Sequence, residues 1–120
     1  PYIISEFDQL CNLADVIVIP MKAGAYDFLS VVETVDKIKE NGNLDKALTV
    51  LTMVKPTANI TSEISNMVKG LEVAQAQTNI SDLVAFIYST SGKLNNNVAQ
   101  QQIDALSIEI LKKIVNQKNK

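Results

Sequence analysis

The chain has 120 residues, enough for one domain or part of one, and a formal net charge of -2. That balance excludes a surface built throughout for nucleic acid or anionic membrane. It has no histidine and no tryptophan, one cysteine, and only lysine as a basic residue; the commonest general base and metal ligand is therefore missing, and no internal disulfide can form.

No H-E-x-x-H, paired C-x-x-C or EF-hand loop is present, so no catalytic residue or metal ligand is assigned. No apolar run approaches the roughly 18 residues of a membrane-spanning helix. These residues show no signal-peptide pattern, and a cytoplasmic location without membrane contact is expected.

Ile3 to Leu13 is predicted to be a helix. Ile4, Phe7, Leu10 and Cys11 recur at helical spacing, and Ser5 can cap it. Cys11 reads as a small buried apolar residue, and a lone cysteine fits a reducing compartment. Val16 to Ile19 is predicted to be a strand, too short and too uniformly apolar for a one-sided surface strand, and hence interior. In this reading Pro20 ends it at a ligand-binding rim and Met21 to Ala25 forms the rim loop. The alternative is that Pro20 simply turns the chain.

A second helix is expected over about Ala25 to Glu40, with Phe28, Val31, Val32, Val35 and Ile38 on one face. Glu33 and Lys37 stand at i, i+4 in the favourable order. Asn41-Gly42-Asn43 is a helix stop. Ala47 to Val54 reads as the next strand, ended by Pro56. Asn59 or Thr61 can cap a third helix carried by Ile64, Met67, Val68 and Leu71, with Gly70 inside its pattern. Leu83 to Tyr88 reads as a third strand and Ser89 to Gly92 as its loop. A last helix carries Ile103, Leu106, Ile110, Leu111 and Ile114, with Asn95-Asn96-Asn97 as a break before it; the final residues are expected to fray.

The order α-β-α-β-α-β-α predicts a single α/β domain over residues 1–120, with three parallel strands, flanking helices and right-handed crossovers. In such sheets ligands gather outside the carboxyl ends of the strands.

The stretch PYIISEFDQLCNLADVIVIPMKAGAYDFLSVVETVDKI resembles the segment after the Walker B strand of ParA/MinD-type partition ATPases. There a D-x-P-P turn, a helix, an A-D-x-V-I-x-P strand, a loop and a long helix follow in order. VLTMVKPTANITSEI is similar to the family's strand ending in T-M that leads to T-N-L and a helix, with Asn59-Ile60 matching the N-L pair. FIYSTSGKL sits where the family has its late strand and the residues flanking the base. The resemblance covers nearly the whole chain.

The resemblance implies a partial Rossmann-like P-loop NTPase sheet with its phosphate-loop half absent. Glycines stand at 24, 42, 70 and 92, and none precedes the G-K-[ST] of the deviant Walker A motif. Phosphate binding needs that loop, whose backbone N–H groups and lysine cradle the phosphates. The implied protein is an ATPase that binds ATP and Mg²⁺ when intact, with no cofactor expected in this chain alone. A stand-alone small protein with the same half-fold is the alternative.

The implied nucleotide-binding positions are Pro1, Met53, Val54, Tyr88, Ser89 and Thr90. Pro1 matches the second proline of the switch turn. The family's base-reading asparagine falls at Met53 or Val54, so backbone contacts would have to substitute. Tyr88, Ser89 and Thr90 match the base-flanking loop, although Tyr88 also reads as a half-buried strand end. The family binds DNA nonspecifically through basic residues, commonly an arginine just before T-N-L; that position is near Thr57, and the chain has no arginine. Lys55, Lys69, Lys93, Lys112 and Lys113 remain as phosphate contacts or as solvated surface.

The implied function is the C-terminal part of a ParA-like ATPase of plasmid or mobile-element partition or conjugative transfer, working with DNA and a ParB-like partner. A homodimer is expected, by sheet extension or by exchange of the Ile3–Leu13 arm, because an open strand edge and bare apolar faces invite a second copy. The alternative is a non-enzymatic α/β interaction or self-association module.

Overall fold

The computed structural model describes residues 5–22, 25–54, 60–81 and 97–118. The first helix, α1 (Glu6–Leu13), starts where Ser5 caps it: the Ser5 hydroxyl oxygen accepts the Asp8 N–H at 3.2 Å, and Asp8 accepts the Ser5 hydroxyl at 2.9 Å. One orphan N–H of the first turn is thereby satisfied, with acidic Glu6 and Asp8 at the positive end of the helix dipole. At its other end Lys46 Nζ donates to the carbonyls of Cys11 and Asn12, at 3.2 and 3.1 Å.

Strand β1 (Ile17–Lys22) is followed by α2 (Ala25–Glu40), a 3-10 turn (Leu44–Lys46) and strand β2 (Ala47–Thr52). Helix α2 ends as Asn41-Gly42-Asn43 predicts. Gly42 adopts φ +75°, its N–H reaches the Lys39 carbonyl, and the Asn43 N–H reaches the Ile38 carbonyl, both at 3.0 Å. This pair of bonds is the Schellman closure, which needs a left-handed residue that glycine supplies without a Cβ penalty.

Helix α3 (Ile60–Lys69) stops just before Gly70, and strand β3 (Ala74–Gln75) and helix α4 (Asn97–Lys118) follow. The three strands lie in the order β1-β2-β3 and all pair in parallel, Ile17 opposite Ala47 and Leu48 opposite Ala74. The protein is therefore an α/β domain with a three-stranded parallel sheet flanked by helices. Strand β2 is buried on both faces from Ala47 to Leu51. Ala47 and Leu51 join Ile19, Met21, Val35, Ile38, Ile64 and Val68 beneath α1, α2 and α3. Leu48 and Val50 turn the other way, against Leu106 and Ile110 of α4.

Three expectations are corrected. Pro20 does not end the first strand: it lies within β1, opposite Val50. The expected rim loop is shortened accordingly, since Met21 and Lys22 belong to β1 and Ala25 opens α2. Among the described strands β1 is also not interior. It is the edge of the described sheet, its burial alternates, and Val18 is 41% exposed. No described strand pairs with its outer side, so proline's missing N–H costs no ladder bond among the described residues. Among the described strands only β2 is buried on both faces. The third described strand is Ala74–Gln75. The predicted strand Leu83 to Tyr88 lies outside the described residues.

Candidate functional site

The carboxyl end of β2 is irregular. Met53 takes a left-handed φ of 54° and is 48% exposed, and Val54 forms a parallel bridge to Ser81. Beside it the chain leaving β3 bulges. The Ala76 N–H bonds the Thr49 carbonyl and the Ile80 N–H bonds the Leu51 carbonyl, each at 2.8 Å. Four residues of one strand thus advance against two of the other, and Gln77 to Asn79 are pushed out of the ladder as a bulge. The Val54 N–H then returns to the Ile80 carbonyl at 3.0 Å.

Helix α4 holds this bulge. Glu109 accepts the backbone N–H groups of Gln77 and Thr78 at 2.7 and 2.9 Å, one on each carboxylate oxygen. Burial alone would push the Glu109 carboxyl up. The hydrogen bonds from the Thr78 side chain and from the Gln77 and Thr78 backbones, with the charge of Lys112, outweigh it and hold the group below its ordinary value. Gln102 accepts the Ser81 N–H at 2.9 Å and donates to the Ser81 hydroxyl at 2.6 Å. Extruded donors that would otherwise be lost from the ladder are thus paired by side chains.

Two clefts flank the bulge. One, of about 450 Å³, has Leu51 and Ala76 among its lining together with Ser65, Asn66, Lys69, Gln75, Gln77 and Asn79. Within it the Ser65 hydroxyl donates to Gln75 Oε1 at 3.1 Å. The other, of about 370 Å³, lies toward the amino end of β2 and brings Asp45, Glu109, Lys112 and Lys113 together. The first offers amides that both donate and accept; the second is of mixed charge.

Of the sequence-predicted positions, Met53 and Val54 follow the carboxyl end of β2. Lys69 lines the amide-rich cleft, and Lys112 and Lys113 line the mixed-charge one. The lysines therefore fall on separate surfaces. Pro1, Lys55, Tyr88, Ser89, Thr90 and Lys93 lie outside the described residues. Sequence reasoning passed over Gln77, Thr78, Gln102 and Glu109. The polar run Gln77-Thr78-Asn79 after a short apolar stretch was their one local signal.

Cys11 is buried, and burial first, then Asp8, pushes its thiol up against the opposing charge of Lys46. It is an apolar core residue, as expected, and not a thiolate. Among the described residues no group of three His, Cys, Asp or Glu side chains is placed to hold a metal ion, and no helix is long and apolar enough to cross a membrane. Compared with known proteins, the chain matches no family model and no curated sequence. What fold and site define together is a parallel α/β domain with a side-chain-braced bulge at the carboxyl ends of its strands.

Proposed function

We propose that these residues are the C-terminal part of a ParA-like ATPase of plasmid or mobile-element partition or conjugative transfer, supplying nucleotide-base and dimer contacts. The observation that carries this reading is the rim itself: Met53 in a left-handed turn and Val54 bridged to Ser81, at the carboxyl end of a strand in a parallel sheet. Ligands of such sheets collect there. In the intact cytoplasmic protein ATP and Mg²⁺ would be held by a phosphate loop outside these residues, and the lysines would meet DNA phosphates beside a ParB-like partner. ATP would drive a dimer, and hydrolysis would release it.

Azido-ATP labelling of the intact gene product, followed by peptide mapping, tests this. Label is expected on the peptides holding Met53-Val54 and Tyr88 to Thr90, competed by ATP. Absence of competed label, together with a gene that encodes no Walker A motif upstream of Pro1, would overturn the reading. A second reading, a non-enzymatic self-association module, is favoured by the apolar side chains that α4 leaves in solvent, Ile108, Leu111 and Val115.

A further inference from the structure

Helix α4 buries one face against the sheet through Leu106 and Ile110. Its opposite side carries a second stripe: Asp104, Ile108, Leu111, Val115 and Lys118, spaced four, three, four and three residues apart. That is the heptad spacing of a helix seam. Ile108, Leu111 and Val115 are 53%, 60% and 55% exposed and line a shallow groove of about 250 Å³. Asp104 and Lys118, at the ends of the stripe, are exposed as well.

The charges at the ends select the occupant. Asp104 and Lys118 lie seven residues on either side of Leu111, each about 10.5 Å along the axis at helical rise. A two-fold axis through Leu111 sets a second α4 antiparallel to the first. Leu111 then meets the partner's Leu111, Ile108 lies beside the partner's Val115, and Asp104 stands level with the partner's Lys118. The stripe is thus self-complementary in both shape and charge, as an isologous contact must be. A parallel pairing in register would instead bring like charges together at both ends.

We infer that α4 is a homodimerisation surface, pairing antiparallel with α4 of a second copy about Leu111. Three half-exposed apolar residues per copy put the contact at the small, transient end of interface sizes, with a dissociation constant on the order of 100 μM. The pairing needs no nucleotide, so its failure and the failure of the ATPase reading are separate results.

Sedimentation equilibrium of the 120-residue chain between about 10 μM and about 1 mM tests it, bracketing that constant. A monomer–dimer equilibrium is expected. Leu111→Asp should leave monomer throughout, whereas Leu10→Asp on α1 should change nothing. Asp104→Lys or Lys118→Asp alone should weaken the dimer about tenfold, and the two together should return it to within about threefold of the starting chain. Leu111→Cys should give a disulfide-linked dimer on oxidation while buried Cys11 stays silent. Monomer at every concentration, Leu111→Asp dimerising like the parent, or a double charge reversal no better than either single one would overturn the inference.

Discussion

Glu109 accepts the backbone N–H of Gln77 at 2.7 Å across a sequence separation of 32 residues, and its second oxygen takes the N–H of Thr78. One carboxylate therefore holds α4 against the bulge that follows β3. The hydrogen bonds are made to the ionised form, so the folded state keeps the carboxyl below its ordinary value of 4.5. A group whose folded value is depressed adds stability that is present above the unfolded value and is lost as pH falls through the folded one. Stability should therefore fall on acidification below about pH 4.5, and Glu109→Gln should remove this part of the dependence. At pH 7 the substitution is expected to cost about 1–2 kcal/mol, given the partial exposure of the site. As pH falls through the folded value the two proteins should converge. Urea midpoints across that acidic range measure this, and parallel pH profiles would refute it.

Gly42 and Glu72 both hold a left-handed backbone, at φ 75° and 61°, but only one of them is suited to it. A Cβ on Gly42 meets nothing within 4 Å, so the cost of Gly42→Ala is purely conformational, about 1 kcal/mol. Gly42→Asn should lose less, because asparagine tolerates this region. At Glu72 the reverse change, Glu72→Gly, is expected to gain roughly 0.5 kcal/mol once the added freedom of the unfolded chain is deducted. Chemical denaturation of the three variants should rank them in that order, with Glu72→Gly above the parent chain.

Helix α1 is fastened by the segment that closes α2. Asn43, only 5% exposed, donates to Asn12 Oδ1 at 2.8 Å, and Asn41 donates to Asp8 Oδ1 at 2.8 Å. Lys46 sits at the negative end of the α1 dipole. Asn43→Ala should cost about 1–2 kcal/mol, the range for a buried polar pair that loses one member. Lys46→Met should cost less than about 1 kcal/mol, because its ammonium is in reach of water. In both variants the amides of Leu10 to Leu13 should exchange faster while those of Val31 to Ile38 stay protected. Equal acceleration in both helices would show that α1 is not held by these contacts.

Much of this architecture could be read from the sequence because its signals are local. The apolar spacing of Val31, Val35 and Ile38 marks the buried face of α2, and Asn41-Gly42-Asn43 marks its end. The β-branched run before Pro20 marks a strand. Strand β3 left no such mark: only Ala74 and Gln75 pair, and their ladder depends on β2 more than on their own propensity. The outward turn of Leu111 was equally hidden. It adjoins Ile110, and periodicity alone cannot tell which of two neighbouring apolar residues faces the core. The brace at Gln77 and Thr78 depends on Glu109 and Gln102, a helix away in sequence, and no local pattern reports such a contact.

Pro20 gives the last prediction. It sits on β1, whose outer side has no described strand, between exposed Val18 and exposed Lys22. Proline and lysine at such positions blunt an edge, one by removing a donor and the other by placing a charge where a second sheet would dock. Replacing Pro20 with valine costs no ladder bond to β2 and supplies a residue of higher strand propensity, so Pro20→Val should fold with stability within about 0.5 kcal/mol of the parent. It also restores an N–H to an edge that no described strand covers. The variant should therefore associate more readily, and Pro20→Val with Lys22→Val more readily still. Light scattering on the Leu111→Asp background separates this edge association from helix pairing. If both edge variants remain monomeric there up to about 0.5 mM, in the concentration range of weak contacts, then Pro20 and Lys22 do not guard the β1 edge against association.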